Sequence, residues 1–215
     1  MKRNLSILSI FTVLLFFSCG KDYEPIEIST EDYHNTIDKL TSVMVHDIFS
    51  PPVASRIYVY PNIAAYEVLN QDNSSYKSMA NQLNGFTAIT DLKKDKALNL
   101  KLASMIAYLN VAKELVFSKD KITTYRDSLY QNWKRINEDE FKRAESYGIA
   151  ISEEVLTWMN ADNYNNTRTM ADYNIYTDDP SRWEPTPPSY MKGIEPHWNK
   201  LRPFILESAS QFRGV

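Results

Sequence analysis

Glycine is scarce in this chain, with five among 215 residues. So low a supply argues against glycine-rich phosphate loops and against an all-β protein full of tight turns. Cysteine is scarcer still: a single copy cannot make an internal disulfide and leaves no Cys-x-x-Cys pair. There is no Gly-x-Ser-x-Gly, no Walker loop, and no sustained period-2 alternation of apolar and polar residues. Basic residues are in deficit, 24 against 27 acidic, so nothing suggests nucleic acid or direct binding to an anionic membrane. What remains is an ordinary globular balance, 43% hydrophobic and 24% charged, enough for one domain with a sizeable core.

The N-terminus stands apart. Lys2-Arg3 precede Leu5 to Phe17, which is apolar except for Ser6, Ser9 and Thr12, and Ser18-Cys19-Gly20 ends the run. That is the layout of a secretory signal, too short and wrongly flanked for a stable membrane span. It resembles a bacterial lipoprotein signal, cut before the cysteine. Ser18 and Gly20 fit that pattern, whereas Phe16 and Phe17 depart from its usual aliphatic and small residues. The resemblance implies lipidation of Cys19, with diacylglycerol and a palmitate-type acyl chain as the membrane anchor. Gly20 rather than Asp favours the outer membrane or cell surface. A plain secretory signal cut nearby is the alternative. Removing residues 1–18 takes away Lys2 and Arg3 and leaves 22 basic against 27 acidic residues, a net charge of −5.

Downstream, residues 19–29 read as a polar tether and residues 30–162 as an all-α helical bundle. Ser29 or Thr30 can cap a first helix, with Glu31 and Asp32 in its first turn and Ile37, Leu40, Met44 and Ile48 along one face. Ser50-Pro51-Pro52 is its stop. Val53 to Leu69 is apolar almost all round, which predicts a buried central helix with a kink or restart at Pro61. Asn70 to Ser78 is a polar loop, and residues 79–91 are a short helix or loop around Gly85. A long helix is expected from Leu92 to Phe117. Ser118 with Asp120 starts the next, carrying Ile122, Tyr125, Leu129 and Trp133. Asn137 with Glu140 is a capping-box-like start for a last helix with Phe141, Ala144, Tyr147, Ile151, Val155, Trp158 and Met159 inward.

After Met159 the character changes. Residues 163–198 form a long irregular segment rich in Pro, Trp and Tyr, with a turn at Asp178-Asp179. Residues 199–215 resume a short helical pattern through Leu201, Phe204, Ile205 and Ala209. The aromatic group Trp183, Tyr190, Trp198 and Phe204 reads as a seal over the bundle, with a ligand slot as the alternative.

Catalytic candidates are thin. The three histidines are His34, His46 and His197. His46-Asp47 with Glu67 could converge on a metal, but the spacing matches no familiar site. His46 reads better as a hydrogen-bonded residue on a partly buried helix face. His197, between Pro196 and Trp198, has no marked carboxylate or nucleophile beside it. Arg56 lies among apolar residues and needs a carboxylate, for which Glu67 or Asp47 is the expected partner.

Three stretches carry a family resemblance. They are Asp47-Ile-Phe-Ser-Pro-Pro-Val-Ala-Ser-Arg56 running to Ala64-Ala-Tyr-Glu67, then Tyr147-Gly-Ile-Ala with Trp158 and Asp162, and finally Trp183-x-Pro-Thr-Pro-Pro-x-Tyr190 with Pro196-His-Trp-Asn-Lys-Leu-Arg-Pro-Phe204. Together they resemble bacterial vanadium-dependent haloperoxidase-like proteins of the phosphatidic acid phosphatase type 2 superfamily. The resemblance implies vanadate or phosphate held by a Lys-x6-Arg-Pro element, a Ser-Gly-His element and an Arg-x5-His element. None is present. Arg-Pro occurs once, at Arg202-Pro203, with Glu195 where the lysine should stand; Ser-Gly-His does not occur; and Ile28, Leu40 and Met191 precede the histidines where arginine is required. The expectation is therefore the non-catalytic N-terminal half of such a protein, with a truncated end, no catalytic or metal residue of its own, and a missing or separately encoded catalytic half as its partner. An exposed apolar face should mark where that half packs. The alternative is a self-sufficient helical lipoprotein that binds a ligand or partner through its aromatic loop.

Overall fold

A computed structural model describes residues 24–72, 75–87 and 97–214. Cys19, the signal and the start of the tether lie outside the described residues, as do residues 92–96 of the expected long helix. Among the described residues there are helices and no strands.

Helix α1, Thr30–His46, begins at a complete capping box: Ser29 Oγ accepts from the Asp32 N–H and Asp32 Oδ2 accepts from the Ser29 N–H. It ends earlier than its apolar period suggests. Ile48 has φ 56° and is 88% exposed, past the helix rather than on its buried face. The prolines act one element later than expected. Pro51 and Pro52 open α2, Pro51–Leu69, where the missing N–H is no loss. Pro61 lies buried inside α2, which continues through it as one helix instead of restarting.

Helix α3, Leu100–Leu115, starts eight residues later than Leu92, at the Asn99 cap, whose Oδ1 accepts from the Leu102 N–H. It is buried on every side and lies against both α2 and α5. Helix α4, Lys119–Ile136, buries Ile122, Tyr130 and Trp133 and leaves most of its surface to water. Helix α5, Glu138–Asn160, buries each of the seven apolar residues expected of it. Gly148 lets α5 approach α3 closely: a Cβ there would sit 2.5 Å from the Ala103 carbonyl oxygen. At the start of α5 only half the capping box forms. Asn137 Oδ1 accepts from the Glu140 N–H, but the Glu140 carboxylate turns away. It accepts instead from the Ile26 N–H at 2.9 Å and from Asn99 Nδ2 at 2.8 Å.

The helices alternate in direction, so the bundle has two ends. The chain enters at Ile26, beside the starts of α3 and α5. The other end gathers the α1–α2 turn, the α3–α4 turn and the close of α5. Here Asp47 joins two turns, accepting from the Phe117 N–H, the Ser118 N–H and Ser118 Oγ. From this end emerges an arm, residues 163–214. It holds a one-turn helix α6, Tyr164–Thr167, and a 3-10 turn, Trp198–Lys200. The helix expected over 199–215 does not form. The Arg202 N–H donates to the Asp162 carbonyl and the Phe204 carbonyl accepts from the Asn84 N–H, so the backbone bonds a helix would use go to the bundle and its loop.

Candidate functional site

The most concentrated chemistry lies where the arm leaves the bundle. Arg56, on the second turn of α2, is 8% exposed and needs a counter-charge. Its partner is Asp162, just past the end of α5, with Arg56 Nε 2.6 Å from Asp162 Oδ2. Neither expected partner serves: Asp47 is committed to Phe117 and Ser118, and Glu67 is buried under Ser78 Oγ and the Met79 N–H. The Arg56–Asp162 pair spans 106 residues, and no local spacing announces it.

Asp162 is fully used. Its Oδ2 also accepts from the Tyr60 hydroxyl at 2.9 Å, and Oδ1 accepts from the Tyr164 N–H at 2.9 Å. Burial, followed by the charge and hydrogen bond of Asp162, pushes the Tyr60 hydroxyl well above the ordinary tyrosine range, so it is a fixed donor at neutral pH. The Arg56 guanidinium lies over the Tyr164 ring at 4.3 Å, and that of Arg168 lies over the same ring at 4.6 Å. Arg168 in turn binds Glu195, with Nη1 3.0 Å from Oε1.

Arg202 comes in from the arm. It donates to the Trp158 carbonyl at 2.9 Å and stacks over the Trp158 ring at 4.5 Å. Phe204 and Trp198 pack beside it against the core. With Arg56, Tyr60, Asp162 and Leu206 these residues border a cleft of about 660 Å³. The aromatic seal is thus real but divided. Trp198 and Phe204 close the bundle, whereas Trp183 and Tyr190 remain 49% and 64% exposed. Trp183 meets Tyr173 edge-to-face at 5.7 Å and lines a separate cleft of about 530 Å³ in the arm with Pro187, Met191 and Ile194. Asp178-Asp179 is the expected turn, with Asp179 Oδ1 accepting from the Ser181 N–H and hydroxyl.

The histidines do not converge. His34 and His46 are exposed on α1, so His46 is not on a partly buried face. His197 Nε2 sits 2.6 Å from the Ala171 carbonyl, a bond internal to the arm. Among the described residues no three of His, Cys, Asp and Glu cluster as a metal site would require. Nor do these residues fit vanadate. An oxyanion needs cationic groups free to face it. Arg56 and Arg168 are each bound to a carboxylate, which leaves Arg202, itself donating to the Trp158 carbonyl, as a lone cation here, and Glu195 brings negative charge where the resemblance calls for lysine. This cluster is a joint between bundle and arm.

No family model matches the sequence, and no curated protein matches it. Among solved structures, the crystal structure of a bacterial vanadium-dependent iodoperoxidase is similar, with 50% sequence identity and a TM-score of 0.85 over 90% of this chain. The match covers 47% of the iodoperoxidase, so this chain spans about half the length of that protein. The shared half-length sequence and the shared helical fold agree with the motifs at Asp47–Glu67 and Trp183–Phe204: the chain belongs to the vanadium-dependent haloperoxidase-like family.

Proposed function

We propose that this chain is the non-catalytic N-terminal helical portion of a secreted haloperoxidase-like or acid-phosphatase-like lipoprotein, and that it is inert by itself. The observation that carries this reading is the pairing of half-length similarity with the loss of all three anion-binding elements from residues 1–215. Vanadate, halide oxidation and phosphate-ester hydrolysis then belong to the other half. The arginines of this half hold the arm in place.

The chain without residues 1–18 is expected to show neither peroxide-dependent halide oxidation nor phosphatase turnover, with vanadate or without it. Turnover in either assay would sink the reading. Lipid anchoring at Cys19, at the outer membrane or cell surface, is tested separately: labelled palmitate should enter the full chain and not the Cys19→Ser variant.

A second reading has one observation in its favour, the open cleft at Trp183. On that reading the protein is a self-sufficient helical lipoprotein whose arm binds a ligand or partner. The sequence encoded immediately downstream separates the two. The three missing elements, in any frame, support the half-enzyme; unrelated sequence there supports the binder.

A further inference from the structure

Exposed apolar side chains are unevenly placed. Of the fifteen large ones among the described residues, ten fall between positions 170 and 212. The arm supplies fewer than a third of the described residues and two thirds of these exposed side chains. Two clefts back to back carry part of it: Trp183 and Gly193 wall both, with Met191 and Ile194 in one and Ile175 and Tyr190 in the other. Ile205 and Phe212 stand out at 75% and 80% exposed. Within the arm, the Arg168–Glu195 pair and a solvent-exposed Lys192–Asp172 pair connect separate stretches of chain, and Tyr190 and Glu195 have positive φ.

The neighbouring cleft adds a charge argument. Arg56 and Asp162 cancel, but among the described residues no carboxylate pairs with Arg202. The cleft is therefore apolar at Pro203, Phe204 and Leu206, with one cation on its wall that no carboxylate among the described residues compensates. Such a pocket suits a large apolar side chain with a carboxylate beside it, the pattern of an interface anchor.

Ile26 lies at the opposite end of the bundle from the arm, so the lipid anchor proposed at Cys19 would attach at the end remote from these clefts. The right occupant is indicated by length, since about half of the matched iodoperoxidase has no counterpart in these residues.

We propose that the outward face of the arm, with the Arg202 cleft as its anchor point, is the docking surface for a haloperoxidase-like catalytic polypeptide that presents an acidic and apolar segment. The proposal rests on the half-enzyme reading and names the surface that reading needs.

The test uses the part of the iodoperoxidase outside the match, made as a separate polypeptide, titrated by calorimetry against the chain lacking residues 1–18. Wild type should bind one to one. Ile205→Asp with Phe212→Asp should weaken binding by about tenfold or more, with far-ultraviolet circular dichroism unchanged. Leu69→Asp, on the exposed surface near the entry end, should bind as wild type. Absence of binding, or equal binding by all variants, overturns the proposal. So does self-association of the chain that the arm variants abolish, which makes the occupant a second copy. Arm-dependent flotation with vesicles of anionic phospholipid overturns it in favour of the membrane. Halide oxidation by the chain alone defeats the functional reading itself. An inert chain with arm-independent binding defeats the docking surface only.

Discussion

The bundle and the arm solve the same problem of burial in opposite ways. In the bundle, apolar side chains recur at helical spacing and nearly all are sealed between α2, α3 and α5, with Tyr60, Tyr108, Phe141 and Ile57 almost fully buried. The arm has no such period. It is shaped by short hydrogen bonds within itself and touches the bundle through a few side chains, chiefly Asp162, Arg202, Phe204 and the Asn84 clasp, whose Nδ2 donates to the Pro203 and Leu206 carbonyls. The bundle thus holds most of the core, whereas the arm leaves most of its large apolar side chains in water. Cutting the few links should free the arm and spare the helices, and damage to the helix contacts should do the reverse.

The largest effect is expected at the joint. Asp162→Ala leaves the Arg56 guanidinium buried without a counter-charge and removes the Tyr60 acceptor. Breaking a buried pair in this way costs about 3–5 kcal/mol, measured by denaturant unfolding, and α2 and the arm should loosen together. Gly148→Ala attacks the bundle alone. The added Cβ would press on the Ala103 carbonyl, so α3 and α5 must part at a cost of about 1–3 kcal/mol. Arm protection in hydrogen exchange should change little.

Phe204→Ala attacks the arm alone. The ring lies 5.5 Å from Tyr60 and 5.7 Å from Trp158 and is only partly buried. The loss should be roughly 1–2 kcal/mol, below the range for a fully buried phenylalanine. Limited proteolysis should then cut within residues 163–214 while the helices stay intact.

The smallest effect belongs to Asp47, which fastens two turns at the arm end. Burial pushes its carboxyl upward, but hydrogen bonds from Ser118 and Phe117, with His46 nearby, outweigh that and hold it below the ordinary aspartate value of 3.8. A carboxyl lowered in the folded state contributes stability above its unfolded value and loses it as pH falls through the folded value. Asp47→Asn should therefore flatten the acid limb of the stability curve below pH 3.8, by less than about 1 kcal/mol because the group is well solvated. Urea midpoints measured across that limb check it.

Legibility followed the same division. The helix faces of α4 and α5 were readable because Ile122, Trp133, Phe141 and Ile151 repeat at the helical period. Ile48 kept the period but not the helix, because the chain turns left-handed there to reach Pro51. The helix expected over 199–215 failed for a related reason: its apolar spacing was right, yet Pro203 and the bonds to Asn84 and Asp162 decide the backbone. The Arg56 partner was out of reach of any spacing rule, since Asp162 comes from the far end of the sequence. Burial did correctly require a carboxylate; only its address was wrong. The aromatic stretch from Trp183 to Phe204 was visible as one feature, and the fold splits it into an inner pair and an outer pair.

The Ile26 peptide has a mechanical meaning. Its N–H is held by Glu140 of α5, and its carbonyl by Asn99, the cap of α3, at 2.7 Å. Tension on the N-terminus therefore meets the two Ile26 bonds, and through them α3 and α5, before it reaches α1.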